Sequence, residues 1–153
     1  MSYETQSTEL FEFEDYSVRA SAGKRFLNYI IDLLFFYILA FALVFILAII
    51  NPDIVDFLDD DSLGMGLLDR FISLIIYALY MGASESIFKG KSIGKFITRT
   101  QAVNLDGSTI STKTAFLRGF SRAVPFAAFS AFGEPSNPWQ DRWTDTMVIN
   151  DMK

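Results

Sequence analysis

The stretch Leu33 to Ile50, LLFFYILAFALVFILAII, runs eighteen residues without a charge, an amide or a glycine. A helix on the surface of a soluble domain carries a polar face, and this run has none. The hydrocarbon core of a bilayer asks for about 20 apolar residues at a rise of ~1.5 Å each. Extending the run back to Phe26 meets that length and takes in Asn28 and Asp32. The segment is therefore predicted to cross lipid. Ser21 is placed to cap a helix that begins near Gly23 and Lys24. Asn51-Pro52 is placed to end it, because proline disfavours helical geometry in the residue before it. The full span is read as about 25–50.

A second span is predicted at about 67–88. Its centre, Phe71 to Ser84, is uncharged, with Asp69 and Arg70 near one end, Glu85 near the other, and Gly64 and Gly66 at the entry. A third apolar segment, within 115–133, centres on AVPFAAFSAF from Ala123 to Phe132. A run of ten residues with Pro125 inside it is too short to span readily. It is read as a short helix lying at, or re-entering, the interface, with a tilted third span as the alternative.

Between and beyond these segments the chain is polar. Residues 1–20 form an acidic arm with Glu4, Glu9, Glu12, Glu14 and Asp15. The loop from Asn51 to Ser62 holds Asp53, Asp56, Asp59, Asp60 and Asp61. It lacks the alternating carboxylates, central glycine and closing Glu of a calcium loop, so it reads as a solvated turn. From Lys89 to Arg122 seven Lys and Arg face only Asp106. Inside that stretch Thr98 to Asn104 has a strand pattern, and Asp106-Gly107 is a turn signal that predicts a small β-hairpin closing at Thr109 to Thr112. Thr146 to Asn150, TMVIN, resembles QAVN at Gln101 to Asn104, and a pairing of those two segments would bring the C-terminal stretch to the basic side.

The predicted architecture is an all-α membrane protein: a polar arm at 1–20, then a membrane domain at 21–150. That domain has two transmembrane helices, a short re-entrant or interfacial helix and a cytoplasmic hairpin. Lys and Arg near helix ends set orientation. Arg19, Lys24 and Arg25 flank the first helix, the basic stretch follows the second, and the acidic loop has neither Lys nor Arg. Both ends of the helix pair are thus expected in the cytoplasm of a cell whose inner membrane holds the protein. The first 18 residues do not resemble a cleavable leader, so the first helix is expected to stay as an anchor.

Composition excludes several classes. There is no cysteine and no histidine, which removes disulfides, thiolate chemistry and the commonest metal ligand and general base. The net charge of −5 argues against nucleic acid as a partner. The spacing Gly90 to Gly94 in GKSIGK is not a phosphate loop, and no nucleophile elbow appears. No catalytic residue, metal or cofactor is implied, and no enzyme is expected.

Arg25, Asn28 and Asp32 fall at i, i+3 and i+7 and share one face of the first helix. Asp32 lies about 10 Å along the axis from Arg25. A charge at the bilayer centre costs on the order of 3 kcal/mol and normally has a partner. Asp32 therefore either fixes helix packing, with Arg25, Arg118, Arg122 or another base as its partner, or binds a cation or proton. Glu85 faces the same two readings from a place nearer the interface.

These residues resemble the RDD family of small bacterial membrane proteins, named for one Arg and two Asp. KRFLNYIID supplies Arg25 and Asp32, GKSIGKFITRTQAVNLDGSTIS looks like the family's middle pattern, and WQDRWTDTMVI looks like its closing one, with Asp141 and Thr146. Many relatives have a longer third apolar segment than this chain. The resemblance implies that Arg25, Asp32 and Asp141 are the residues to weigh; Asp141 gains its interest from that pattern alone. It implies transport of an undefined ligand, or of a cation against protons. Two spans enclose little of a pathway, so such a protein is expected to form homo-oligomers or join other membrane-protein subunits. The alternative is a non-transporting accessory or assembly subunit. On either reading Asp141 is expected to fold back onto Arg25.

Overall fold

The computed structural model describes residues 19–54, 63–124, 127–132 and 138–151. The expected N-terminal arm, most of the acidic loop and Pro125 lie outside these residues. Helix α1 spans Ala22–Ile50 and α2 spans Leu63–Ile87. They are followed by α3 (Ile93–Thr98), β1 (Thr100–Asn104) and α4 (Thr112–Ala123). A short 3-10 helix (Ala127–Phe132), α5 (Trp139–Arg142) and β2 (Thr146–Asn150) complete the order.

Helix α1 begins where its cap predicts. The Ser21 hydroxyl accepts from the Lys24 N–H at 3.4 Å. At the far end the Asn51 N–H donates to the Leu47 carbonyl at 2.8 Å, the last helical bond before Pro52. The helix is inside out relative to a soluble one. Its buried residues are Arg25, Asn28 and Asp32, while Phe41 and Ile50 are 73% and 74% exposed. No residue of its most apolar window is buried by the rest of the chain. A core helix of a soluble protein would bury that surface; this one leaves it for lipid. Both α1 and the 66–87 part of α2 are long and apolar enough to cross a bilayer.

The two long helices do not pack closely along each other. Helix α1 lies mainly on α3 and the 3-10 helix, and α2 lies on α4. Between α1 and α2 the ring of Phe36 wedges against Tyr77 and Tyr80, with centroids 5.2 and 5.6 Å apart. Helix α4 is amphipathic in the ordinary sense. Ala115, Arg118, Gly119 and Arg122 are its inward face, at i, i+3, i+4 and i+7. It can sit against α2 because Gly119 has no side chain: a Cβ there would lie 2.3 Å from the Ala78 carbonyl oxygen and 2.8 Å from the Gly82 nitrogen. Small residues at helix contacts are the usual means of close approach where lipid removes a hydrophobic drive.

Two sequence expectations need correction. The sheet is not a hairpin. Asp106-Gly107 does turn, with the Gly107 N–H on the Asn104 carbonyl at 2.9 Å, but the returning chain makes only a single bridge, Thr109 to Val103. Ser111 then caps α4, accepting from the Thr114 N–H at 3.1 Å, so the helix begins before a second strand can form. The partner of β1 is instead β2, antiparallel, from Thr100 opposite Asn150 to Asn104 opposite Thr146. This is the TMVIN pairing, closed across some forty intervening residues. Nor is Ala123–Phe132 one helix. Helix α4 stops at Ala123 and Val124 is extended, as the residue before a proline prefers; the 3-10 helix follows.

Replacing Gly119 by valine is expected to force α4 off α2. Unfolding of the detergent-solubilised protein should show a loss of ~1–3 kcal/mol, with membrane insertion unchanged.

Candidate functional site

The end of α1 that carries Arg25 meets α3, α4, α5 and β2, and seven ionisable side chains converge there. They are Arg25 and Asp32 from α1, Glu85 from α2, Lys95 from α3, Arg118 and Arg122 from α4, and Asp141 from α5. All are buried. Charged groups taken out of water are tolerated only when paired and hydrogen-bonded, and each of these has at least one partner of opposite sign.

Arg25 uses all three nitrogens of its guanidinium. Its Nε donates to the Ala20 carbonyl at 3.0 Å and its Nη2 to the Val148 carbonyl at 3.2 Å. Its Nη1 forms an ion pair with Asp141. The expected return of Asp141 to Arg25 is thus made. It is arranged by α5, one turn of helix that follows Pro138, and by the Ala20 N–H, which joins the start of α1 to β2 through the Val148 carbonyl at 2.8 Å.

Three residues on, Asn28 ties α1 to α3 and β1. With its amide oriented to suit its neighbours, the nitrogen donates to Thr98 and to the Gly94 carbonyl at 3.1 Å, and the oxygen accepts from Thr100 at 3.0 Å. Here again a glycine permits the contact, since a Cβ on Gly94 would stand 2.5 Å from the Asn28 carbonyl oxygen. One turn further, Asp32 takes the Ser92 hydroxyl at 2.6 Å, the Gly94 N–H at 2.7 Å and Arg122 at 3.3 Å. The Gly94 N–H belongs to the first turn of α3, where backbone donors lack helical acceptors. Of the partners open to Asp32 in the sequence, the fold selects Arg122.

Glu85 is the most heavily used acid. Lys95 Nζ reaches its Oε1 at 2.7 Å, Arg118 Nε its Oε2 at 2.8 Å, and Arg122 Nη2 its Oε1 at 3.3 Å. At 1% exposure it is sealed among three cations. Arg118 bridges the two halves of the network, holding Glu85 with one edge and Asp141, at 2.6 Å, with Nη1. The same nitrogen also contacts the Thr146 hydroxyl.

The electrostatics differ along the network. Burial alone would lower the Arg118 pKa, but Glu85 and Asp141 outweigh it and hold it above its usual value. Arg122 is raised in the same way, against burial, by Glu85 and Asp32. Lys95 goes the other way. Burial lowers it, Glu85 opposes, and Arg122 and Arg118 add to the lowering, which brings it to about 7.

Arg25, Asp32, Asp141, Asn28 and Glu85, all singled out in the sequence, are brought into this one cluster. Lys95 and Ser92 were not singled out. Their sequence signal was only a basic stretch, although Ser92 also caps α3 through the Lys95 N–H at 3.4 Å. Arg118 and Arg122 stood out only as candidate partners of Asp32. Among the described residues no cluster of acids could hold a metal ion.

The Arg25–Asp141 contact is open to a double-mutant cycle. Asp141→Asn should lower stability by ~3–5 kcal/mol, since it leaves the buried Arg25 without a carboxylate, and Arg25→Met should cost less, because Asp141 keeps Arg118. The double variant should cost less than the two losses together, by ~0.5–3 kcal/mol, as read by denaturant unfolding in micelles.

Comparison with known proteins adds the family. Residues 19–134 match the RDD family, a span that includes α1 to α4 and the 3-10 helix. Asp141 lies beyond it, so its place in the network rests on geometry. No curated protein and no solved structure matches the chain. The family match covers most of the sequence and both apolar helices, and this membrane protein belongs to the RDD family.

Proposed function

We propose that the chain is a non-transporting accessory or assembly subunit of a larger membrane complex. In this reading it is a multi-pass protein of the inner membrane. Two helices cross the bilayer, both ends of the pair face the cytoplasm, and the α4 to β2 region forms a cytoplasmic cap with the 3-10 segment at the interface. The observation that carries the reading is the state of the three carboxylates. A cation-transporting acid must exchange one partner for the cation it moves. Asp32, Glu85 and Asp141 each already hold a guanidinium, within a cluster of four cations to three acids. Such a cluster repels a further cation and fits a latch between helices and cap.

The outward half of α1 supports the same reading. Leu43, Phe45, Ile46, Ile49 and Ile50 are exposed, so that half of the helix offers its apolar circumference to lipid, to other subunits or to further copies of this chain. The chain is read as non-enzymatic.

Extraction of native membranes in a gentle detergent, followed by mass spectrometry of the purified complex, should find a stoichiometric membrane-protein partner. Reconstituted alone into liposomes, the chain should pass neither cations nor protons. A flux that disappears in Asp32→Asn would reverse the choice in favour of transport.

A further inference from the structure

The buried network is not neutral. Asp141 pairs with Arg25, Asp32 with Arg122, and Glu85 with Arg118, and that matching leaves Lys95 over. The carboxylate that Lys95 contacts is Glu85, which already receives both α4 guanidiniums. A guanidinium does not give up its proton in a protein, whereas a buried lysine does so readily.

We propose that Lys95 is the proton-exchanging site of the network, and that its amine, rather than any of the three acids, gives up and takes back a proton. The site is built for both forms. Lys95 is 0% exposed, and its Nζ has two acceptors, Glu85 Oε1 at 2.7 Å and the Gly90 carbonyl at 3.1 Å. Two acceptors satisfy the two N–H groups of a neutral amine and leave one donor of an ammonium over. The neutral amine also offers a lone pair, in a cluster where Arg118 Nη2 and Arg122 Nε have no acceptor among the described residues. The charged groups acting on Lys95 are Glu85 from α2 and Arg122 and Arg118 from α4. Around them, Asp32 and Tyr77 act on Arg122, and Asp141 on Arg118. The lowering of the amine toward 7 by burial and the two guanidiniums agrees with this count.

Protonation places a third cation beside Glu85, which favours it, and its cost comes from burial and from repulsion by Arg122 and Arg118. The sign follows from proton counting. Between about 7 and the ordinary lysine value of 10.5, the folded chain binds one proton fewer than the unfolded chain. Stability therefore rises with pH across that window and is lost as pH falls through the lower value. The inference goes beyond the accessory reading and stands without it, since a failed search for partners leaves the titration of Lys95 untouched.

The test is a pH titration of the 15N-lysine-labelled protein in lipid nanodiscs, observed at the side-chain nitrogens. One of the six lysines should change from ammonium to amine near neutral pH, and its resonance should be absent from Lys95→Arg. In parallel, the melting temperature of wild type relative to Lys95→Met should rise as pH goes from 6 to 9.5. If all six lysines stay ammonium up to pH 9, the proposal is overturned, and the surplus charge must then be met by a bound anion. If Lys95→Arg does not fold, a single wild-type lysine titrating near neutrality still supports it, and the absence of one still overturns it.

Discussion

A charge withdrawn from water has to be met by another charge or by fixed dipoles, and the whole end of this protein that carries Arg25 is arranged around that demand. Seven ionisable groups from five helical elements close on one another. Each element contributes what its neighbour lacks: α1 an acid for α4, α2 an acid for α3 and α4, α5 an acid for α1 and α4. The glycines serve the same end. Without the bare backbones of Gly94 and Gly119, α3 and α4 could not approach α1 and α2 this closely.

Such a network adds little net stability, because desolvating the charges costs about as much as pairing them returns. Its contribution is specificity. In lipid two apolar helices have no hydrophobic reason to prefer each other over their solvent, and α1 and α2 accordingly have little direct packing. What fixes α1 is its polar stripe. Arg25, Asn28 and Asp32 each seize a different partner, Asp141 with the β2 backbone, the Thr98–Thr100 hydroxyls, and the start of α3. A rotation of the helix by one residue would break all three at once.

The same geometry bears on function. An acid buried on an apolar helix is a natural candidate for carrying ions, and Asp32 is one. Yet its oxygens are filled by a hydroxyl, a backbone N–H and a guanidinium. The group with room to change its state is the lysine, because it is the one cation left over when acids and bases are matched.

The sequence alone determined the two long helices, and the caps and inward stripe of α1, because those depend on local rules: apolar length, the Ser21 cap, the Asn51-Pro52 stop and a 3.6-residue period. It also contained the family pattern that drew attention to Asp141. It did not determine which cation meets which acid, that β1 would choose β2 over the nearer Thr109–Thr112, or that Lys95 would be the buried surplus. Those outcomes depend on contacts between residues 10 to 116 positions apart, where sequence spacing carries no information about distance. Only the tertiary structure brings them within reach, and burial then decides how strongly each charge is felt.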